Sequence, residues 1–505
     1  MIAQSTIADY IAPSVDWFAL SPYLVPAAGA LVLMVVGALT PAWPRGLYAG
    51  FTAACAVGAG VLSIFVWDDI TDASPTTLVS GAMAHDTFAH LVALTVLVAT
   101  ALVALVTDGT LRGTSGDGPE MYALMLVAAV GAMVMGAAND LIVLFLGLET
   151  LSLALYVMAA SDRRRTSSGE AGLKYFVLGG FASAFLLYGI ALLYGASRST
   201  NISEIIDYFQ SNVATERNDA LVLAGVALLI VGLGFKVAAV PFHVWSPDVY
   251  QGAPSNVTAF MASVGKAGAV AAMARVLIVA LPFHRDDWRP VIWVLAVASL
   301  VVGSLLAVVQ TDVKRMLAYS SVSHAGFLLV GIEAAGHRAG ESSAGTGLQS
   351  VLVYLALYGV LVVGSFAVIT VVSAARGESS DIAVFDGLAQ RRPVLALAMT
   401  VFLLAQAGVP LTSGFIAKWG VIQAAVDERS YAVAIIAMVA AVIAAFLYLR
   451  IMVAMWLKPA ESEETVAVPW LTGIAVGIAV VVTVVVGVYP QWLLDATDVV
   501  SQYAR

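Results

Sequence analysis

The sequence predicts an all-α polytopic membrane protein with about 14 transmembrane helices, on three observations. Sixty-one per cent of the 505 residues are hydrophobic and 11% are charged, where a soluble domain carries about a quarter charged residues. The apolar residues gather in runs of about 18 or more, long enough to cross a bilayer as helices. The one cysteine, Cys55, sits inside such a run. It can form no internal disulfide, and alone it cannot hold an iron–sulfur cluster.

The predicted spans lie at roughly 20–40, 46–67, 86–106, 120–138, 141–160, 172–195, 220–250, 255–280, 291–310, 317–334, 347–374, 394–425, 431–457 and 468–489. The first run lacks a basic flank and a cleavage motif and reads as a retained span. The seventh and twelfth are too long for one span. The seventh is interrupted by Pro241, after Lys236, and the twelfth by Gly408-Val409-Pro410. Proline removes a donor and clashes with the preceding turn, so both spans are expected to be broken helices. Backbone groups freed at membrane depth must line a polar cavity or pack in protein.

The loops bearing Arg163–Arg165, Lys314, Arg315 and Arg391–Arg392 form the more basic set. The positive-inside rule places them in the cytoplasm and, with an even number of spans, both termini outside. The net charge of −9 is spread over loops, so no nucleic-acid partner is expected. No phosphate-binding glycine loop or dinucleotide fingerprint is present. Any redox chemistry is therefore expected on other chains.

The chemistry is expected from ionisable residues inside the spans. Of 6 lysines, Lys174, Lys236, Lys266 and Lys418 fall within spans; of 18 arginines, only Arg275 and Arg450 do. Both arginines lie near span ends, where they are expected to snorkel. An ionisable residue at a helix centre costs roughly 2.5–3.5 kcal/mol on insertion scales and defaults to a functional role. Either cation could serve a structural ion pair, whereas lysine gives up its proton readily when buried. Glu149, Lys236, Lys266 and His324 lie near the middle of spans five, seven, eight and ten, and Lys418 follows the break in the twelfth. One glutamate, three lysines and one histidine across five spans point to a proton relay. Lys174 starts its span and could simply snorkel. His243 follows the Pro241 break and could be a shuttle or a helix-end hydrogen-bonder. No residues have metal-ligand spacing.

Four segments resemble the antiporter-like proton-pumping subunits of respiratory complex I. They are Leu148–Tyr156, Gly234–Pro254 (GFKVAAVPFHVWSPDVYQGAP) leading to Lys266, Asp312–Gly326 (DVKRMLAYSSVSHAG), and Gly408–Trp419 (GVPLTSGFIAKW). The motifs reach from the fifth span to the twelfth, and the helix pattern covers nearly the whole chain. The family usually has two prolines where this chain has Pro410-Leu411, so the second break is expected to be softer. The resemblance implies one membrane domain over 1–505. Three spans occupy 1–119, two inverted five-helix repeats 120–280 and 291–457, and a last span and tail 458–505. Of three paralogous subunits, one has a long C-terminal lateral helix, and another carries Glu at the position of Lys418. The third matches this chain.

By this resemblance the chain carries no cofactor. NADH, FMN, iron–sulfur clusters and quinone sit on partner subunits, and its neighbours in a bacterial cell membrane are other membrane subunits, including antiporter-like ones. Glu149 and Lys236 would form a switchable ion pair, Lys266 and His324 pass the proton on, and Lys418 connects to the outside. An ion pair at 4 Å is worth about 4 kcal/mol at an effective dielectric near 20. Moving a proton against 100 mV costs about 2.3 kcal/mol, so such a pair is strong enough to drive the step. A subunit of a multi-subunit cation/proton antiporter, or of an energy-converting hydrogenase, is the alternative. The predicted orientation is checked by a cysteine at position 164: a membrane-impermeant thiol reagent should label it from the cytoplasmic side only. Labelling from outside would invert the assignment.

Overall fold

The computed structural model describes residues 15–498 apart from 41–42, 45, 73–74, 112–117, 213–219, 341–344 and 461–465. Both termini, expected outside, lie beyond the described residues. Helices α1 (Trp17–Leu39) and α2 (Leu47–Asp72) are followed by a hairpin of β1 (Thr76–Leu78) and β2 (Met83–His85). Next come α3 (Thr87–Leu111), α4 (Pro119–Ala137), α5 (Leu141–Ala159), α6 (Thr166–Ser197), α7 (Ile202–Asn212), α8 (Ala220–Val237) and α9 (Trp245–Gly252). A continuous segment holds α10 (Ser255–Phe260) and α11 (Lys266–Ala274), with π-helical turns at Met261–Gly265 and Arg275–Ala280. The second half contains α12 (Arg285–Val309), α13 (Val313–Gly336), α14 (Gly345–Ala374), α15 (Leu388–Arg391), α16 (Pro393–Ala407), α17 (Ser413–Asp427), α18 (Tyr431–Leu457), α19 (Trp470–Val488) and α20 (Gln491–Thr497).

The protein is an α-helical polytopic membrane protein. Among the described residues, 12 helices are long and apolar enough to cross a bilayer. They coincide with twelve of the predicted spans. The tenth predicted span is α13, a buried helix that carries Lys314, Arg315, three serines at 320, 321 and 323, and His324. The twelfth is divided into α16 and α17, each too short by itself.

Both expected breaks are present. The first separates α8 from α9, and Ala238 within it takes φ +63°. The second is as complete as the first, contrary to the softer break expected from the missing proline. Here Gly408 (φ +89°) caps α16 in the left-handed conformation, and its N–H bonds Leu404 O at 3.1 Å. Glycine ends a helix this way without a Cβ penalty. Leu411 then takes φ +68°, a conformation a bulky residue adopts only when its surroundings enforce it.

Association in lipid relies on close packing rather than on the hydrophobic effect. Helices α4 and α5 meet backbone to backbone: a Cβ on Gly131 would stand 2.6 Å from the Leu151 nitrogen. This contact sets the rotation of α5, the helix that carries Glu149 and Ser152. The Ser255–Ala280 segment is wholly enclosed by its neighbours, which puts Lys266 at the centre of the molecule.

Arg275 does not snorkel. It is 1% exposed, pairs with Asp86 through two bonds of 2.6 and 2.9 Å, and donates to Gly136 O. Phe88 covers its guanidinium at 4.5 Å. Removing one partner of a buried pair leaves an uncompensated charge, at a cost of about 3–5 kcal/mol. Asp86→Leu or Arg275→Leu alone should therefore deplete the subunit from membranes, and the double variant should restore more of it. Immunoblotting checks this; a double variant scarcer than either single one would contradict it.

Candidate proton path

Five of the candidate residues, with their partners, form two groups. In the first, the break after α8 leaves Lys236 in the helix's last turn, 6% exposed. Its Nζ donates to Ser152 Oγ at 2.7 Å and to Tyr175 Oη at 3.1 Å, with the rings of Tyr175 and Tyr156 at 5.1 and 5.7 Å. Trp245, opening α9, donates to Phe235 O at 2.9 Å and stacks on Tyr175 with centroids 4.4 Å apart. The broken helix is thus closed by an indole bond and an aromatic stack.

Glu149 accepts a hydrogen bond from Ser183. It is not in direct contact with Lys236, and the ion pairs of the described residues do not include either group. The expected ion pair is replaced by an indirect arrangement. Ser183, Ser152 and Lys236 line one cavity of about 10 Å³, close to the space a single water needs. The reason is local: Ser152 and Tyr175 meet Lys236 first, and Ser183 holds the carboxylate on the other side.

The second group is built on Lys266, His324 and Lys418. Lys266 Nζ donates to Ser321 O at 2.5 Å and lies 5.5 Å from the Tyr358 ring. That ring is 4.8 Å from the His324 imidazole. His324 Nδ1 is 2.6 Å from Tyr354 Oη and Nε2 is 3.3 Å from Tyr448 Oη. Tyr448 also contacts Ser320 Oγ at 2.6 Å. Lys418 lies over Phe327 at 4.9 Å and donates to Gln406 O at 2.7 Å and Ala407 O at 3.1 Å. Those are final carbonyls of α16, which lack intrahelical partners and carry the negative end of the helix dipole. The break therefore provides the lysine's acceptors. Gln406 Nε2 continues the chain to Ser365 Oγ at 2.7 Å.

Two candidates stand apart. Lys174 lies at the start of α6 and pairs with Glu170 at 2.7 Å and Asp248 at 3.0 Å. His243 sits in the first break, 6.4 Å from the Tyr319 ring, with no contact to Lys236. Sequence reasoning missed the hydroxyl partners Ser152, Tyr175, Tyr354 and Tyr448, whose residue types are ordinary in apolar spans. It also assigned Lys314 to a loop. Lys314 is 2% exposed, with its Nζ 2.5 Å from Ala253 O at the end of α9. The Asp312-Val-Lys-Arg run was the available signal.

The profile described as "NADH:quinone oxidoreductase/Mrp antiporter, TM" matches residues 138–444, a stretch containing every residue of both groups except Tyr448. The NADH-quinone oxidoreductase subunit N of Parafrankia sp. (strain EAN1pec) is 40% identical over 534 aligned positions, covering 100% of this chain and 99% of that protein. The subunit N of Rhodococcus opacus (strain B4) is 46% identical, covering 76% of this chain and 70% of that one. A chain of respiratory complex I from Thermus thermophilus with bound aureothin superposes with a TM-score of 0.78 at 30% identity, over 94% of this chain and 99% of that one. The Mrp complex of Dietzia sp. DQ12-45-1b contains a chain of the same fold, with a TM-score of 0.82 at 21% identity over 96% of each chain. The chain belongs to the NADH:quinone oxidoreductase/Mrp antiporter membrane family, on the branch of the NADH-quinone oxidoreductase N subunits.

Proposed function

We propose that the chain is the membrane subunit through which a bacterial NADH:quinone oxidoreductase moves protons. Glu149, Lys236, Lys266, His324 and Lys418 are its successive stations, with Lys174 and His243 at the margin. One observation carries this reading: three buried lysines bond only to hydroxyls and backbone carbonyls. A buried cation serving structure alone is normally paired with a carboxylate, as Arg275 is here. No carboxylate is bonded to any of the three, so their protonation can follow changes in their surroundings, among them the charge of Glu149 near Lys236.

The redox cofactors belong to partner subunits on this reading. Among the described residues, no group of three or more His, Cys, Asp or Glu could hold a metal. A neighbouring membrane subunit covers the face around Glu149. That residue is only partly buried and shares a face of α5 with exposed Leu146, Leu153 and Val157. A carboxylate facing acyl chains is costly, so protein rather than lipid stands against it. The fold is shared with cation/proton antiporter subunits and does not separate the two functions; the identity to N subunits favours the redox enzyme.

The test substitutes Lys236 in the assembled complex. Lys236→Met should leave assembly intact and abolish most proton pumping with coupled quinone reduction. Lys236→Arg should keep the charge and still fail, because arginine does not release its proton. Acidification of membrane vesicles, normalised to assembled complex, checks both. An Arg variant that pumps normally would make Lys236 a packing cation.

A further inference from the structure

The first break is closed from within its own helix, by Trp245. The second is closed backbone to backbone, and part of that closure comes from α19. A Cβ on Gly487 would collide with Leu411 O and Thr412 Cα and stand 2.6 Å from Leu411 C. These are backbone atoms, which cannot swing aside as the end of a flexible side chain can. Gly487 is buried in the last turn of α19, so the helix rests directly on the tip of the break. At that tip Leu411 is held at φ +68°, a conformation that needs an outside constraint.

From the tip, close contacts continue to Lys418. Two residues past Thr412, a Cβ on Gly414 would collide with Ala405 O and stand 2.6 Å from Ala405 C. The first turn of α17 therefore lies against the last turn of α16. The next two carbonyls of that turn, on Gln406 and Ala407, accept from Lys418 at 2.7 and 3.1 Å. A Cβ on Gly408 would stand 3.0 Å from Lys418 Cδ, so the lysine stem fills the space beneath the break. Packing this dense passes a displacement on instead of absorbing it. Helix α19 itself lies beyond residue 444, where the family profile ends, and carries no ionisable side chain.

We infer that Gly487 is a positioning residue for Lys418: through this glycine α19 sets the tip of the second break, and with it the two carbonyls that hold the ammonium. The inference rests on the relay proposed above, in which Lys418 is a station.

The test adds one methyl group, as Gly487→Ala in the assembled complex. The complex should assemble, and proton pumping near neutral pH should fall severalfold. The alkaline limb of the pumping profile should also move to lower pH by about one unit, because an ammonium that loses an acceptor gives up its proton more readily. Ionisable groups near Lys418 are His324 on α13 and, bonded to it, Tyr354 on α14 and Tyr448 on α18; the variant leaves all three in place. Gly477→Ala, on the same helix with open space around it, should pump and titrate as the unaltered protein does. Normal pumping by Gly487→Ala would overturn the proposal. So would less assembled complex with an unshifted profile, the result of a purely structural contact. If alanine prevents assembly, Leu411→Gly is added, since glycine lets the tip follow the displaced backbone without a Cβ penalty. A double variant with an unshifted profile, or one that also fails to assemble, would overturn the proposal equally. If Lys418→Met pumps normally, the relay is wrong at Lys418. If it stops pumping while Gly487→Ala changes nothing, only the positioning role is wrong.

Discussion

The structure depends on how a lysine ammonium is kept inside a membrane protein without a carboxylate beside it. Lys236, Lys266 and Lys418 are each at most 6% exposed, and their acceptors are two hydroxyls, one carbonyl of α13 and two carbonyls of α16. Neutral acceptors satisfy the donors, as burial demands, and no carboxylate is bonded to the ammonium. The Asp86–Arg275 pair is the opposite solution in the same chain: two full charges, bidentate, in a permanent tie. One arrangement ties two charges together permanently, and the other leaves the ammonium without a bonded carboxylate, which is what the proposed relay requires.

The helix breaks supply what the lysines need. Ending α16 at Ala407 exposes carbonyls that would otherwise be bonded within the helix, and Lys418 takes two of them. Ending α8 at Val237 lets Trp245 close the gap by bonding Phe235 O and stacking on Tyr175. Both breaks pass through a non-glycine residue at positive φ, Ala238 and Leu411. Local strain of this kind costs on the order of 1–3 kcal/mol and is tolerated where it serves a site. The tight Gly131–Gly147 contact between α4 and α5 holds Ser152 in place against Lys236.

The lysines and His324 were legible because a charged or titratable residue stands out in an apolar run, and Pro241 and Pro410 announced the breaks. Their partners were not legible. Tyr354 and Tyr448 serve His324 through contacts 30 and 124 residues apart, and nothing local marks a tyrosine as a ligand. Arg275 was misread because its partner Asp86 is 189 residues away. A direct Glu149–Lys236 pair was the natural expectation for two opposite charges at one depth; the serines that intervene could be seen only once the helices were packed. Lys314 was placed in a loop because charge density at a span end looks the same whether the side chain points out or under the neighbouring helix.

The most direct measurement puts a carboxylate in direct contact with the lysine, where the account says there must be none. Ser152 Oγ is 2.7 Å from Lys236 Nζ, so Ser152→Asp would place a carboxylate against the ammonium, and Ser152→Asn would place a neutral group of the same size there. Proton pumping per assembled complex is read in vesicles for both. The account predicts that the Asp variant assembles but pumps far less than the Asn variant, because the pair fixes the charge that must change. Equal pumping by the two would contradict it.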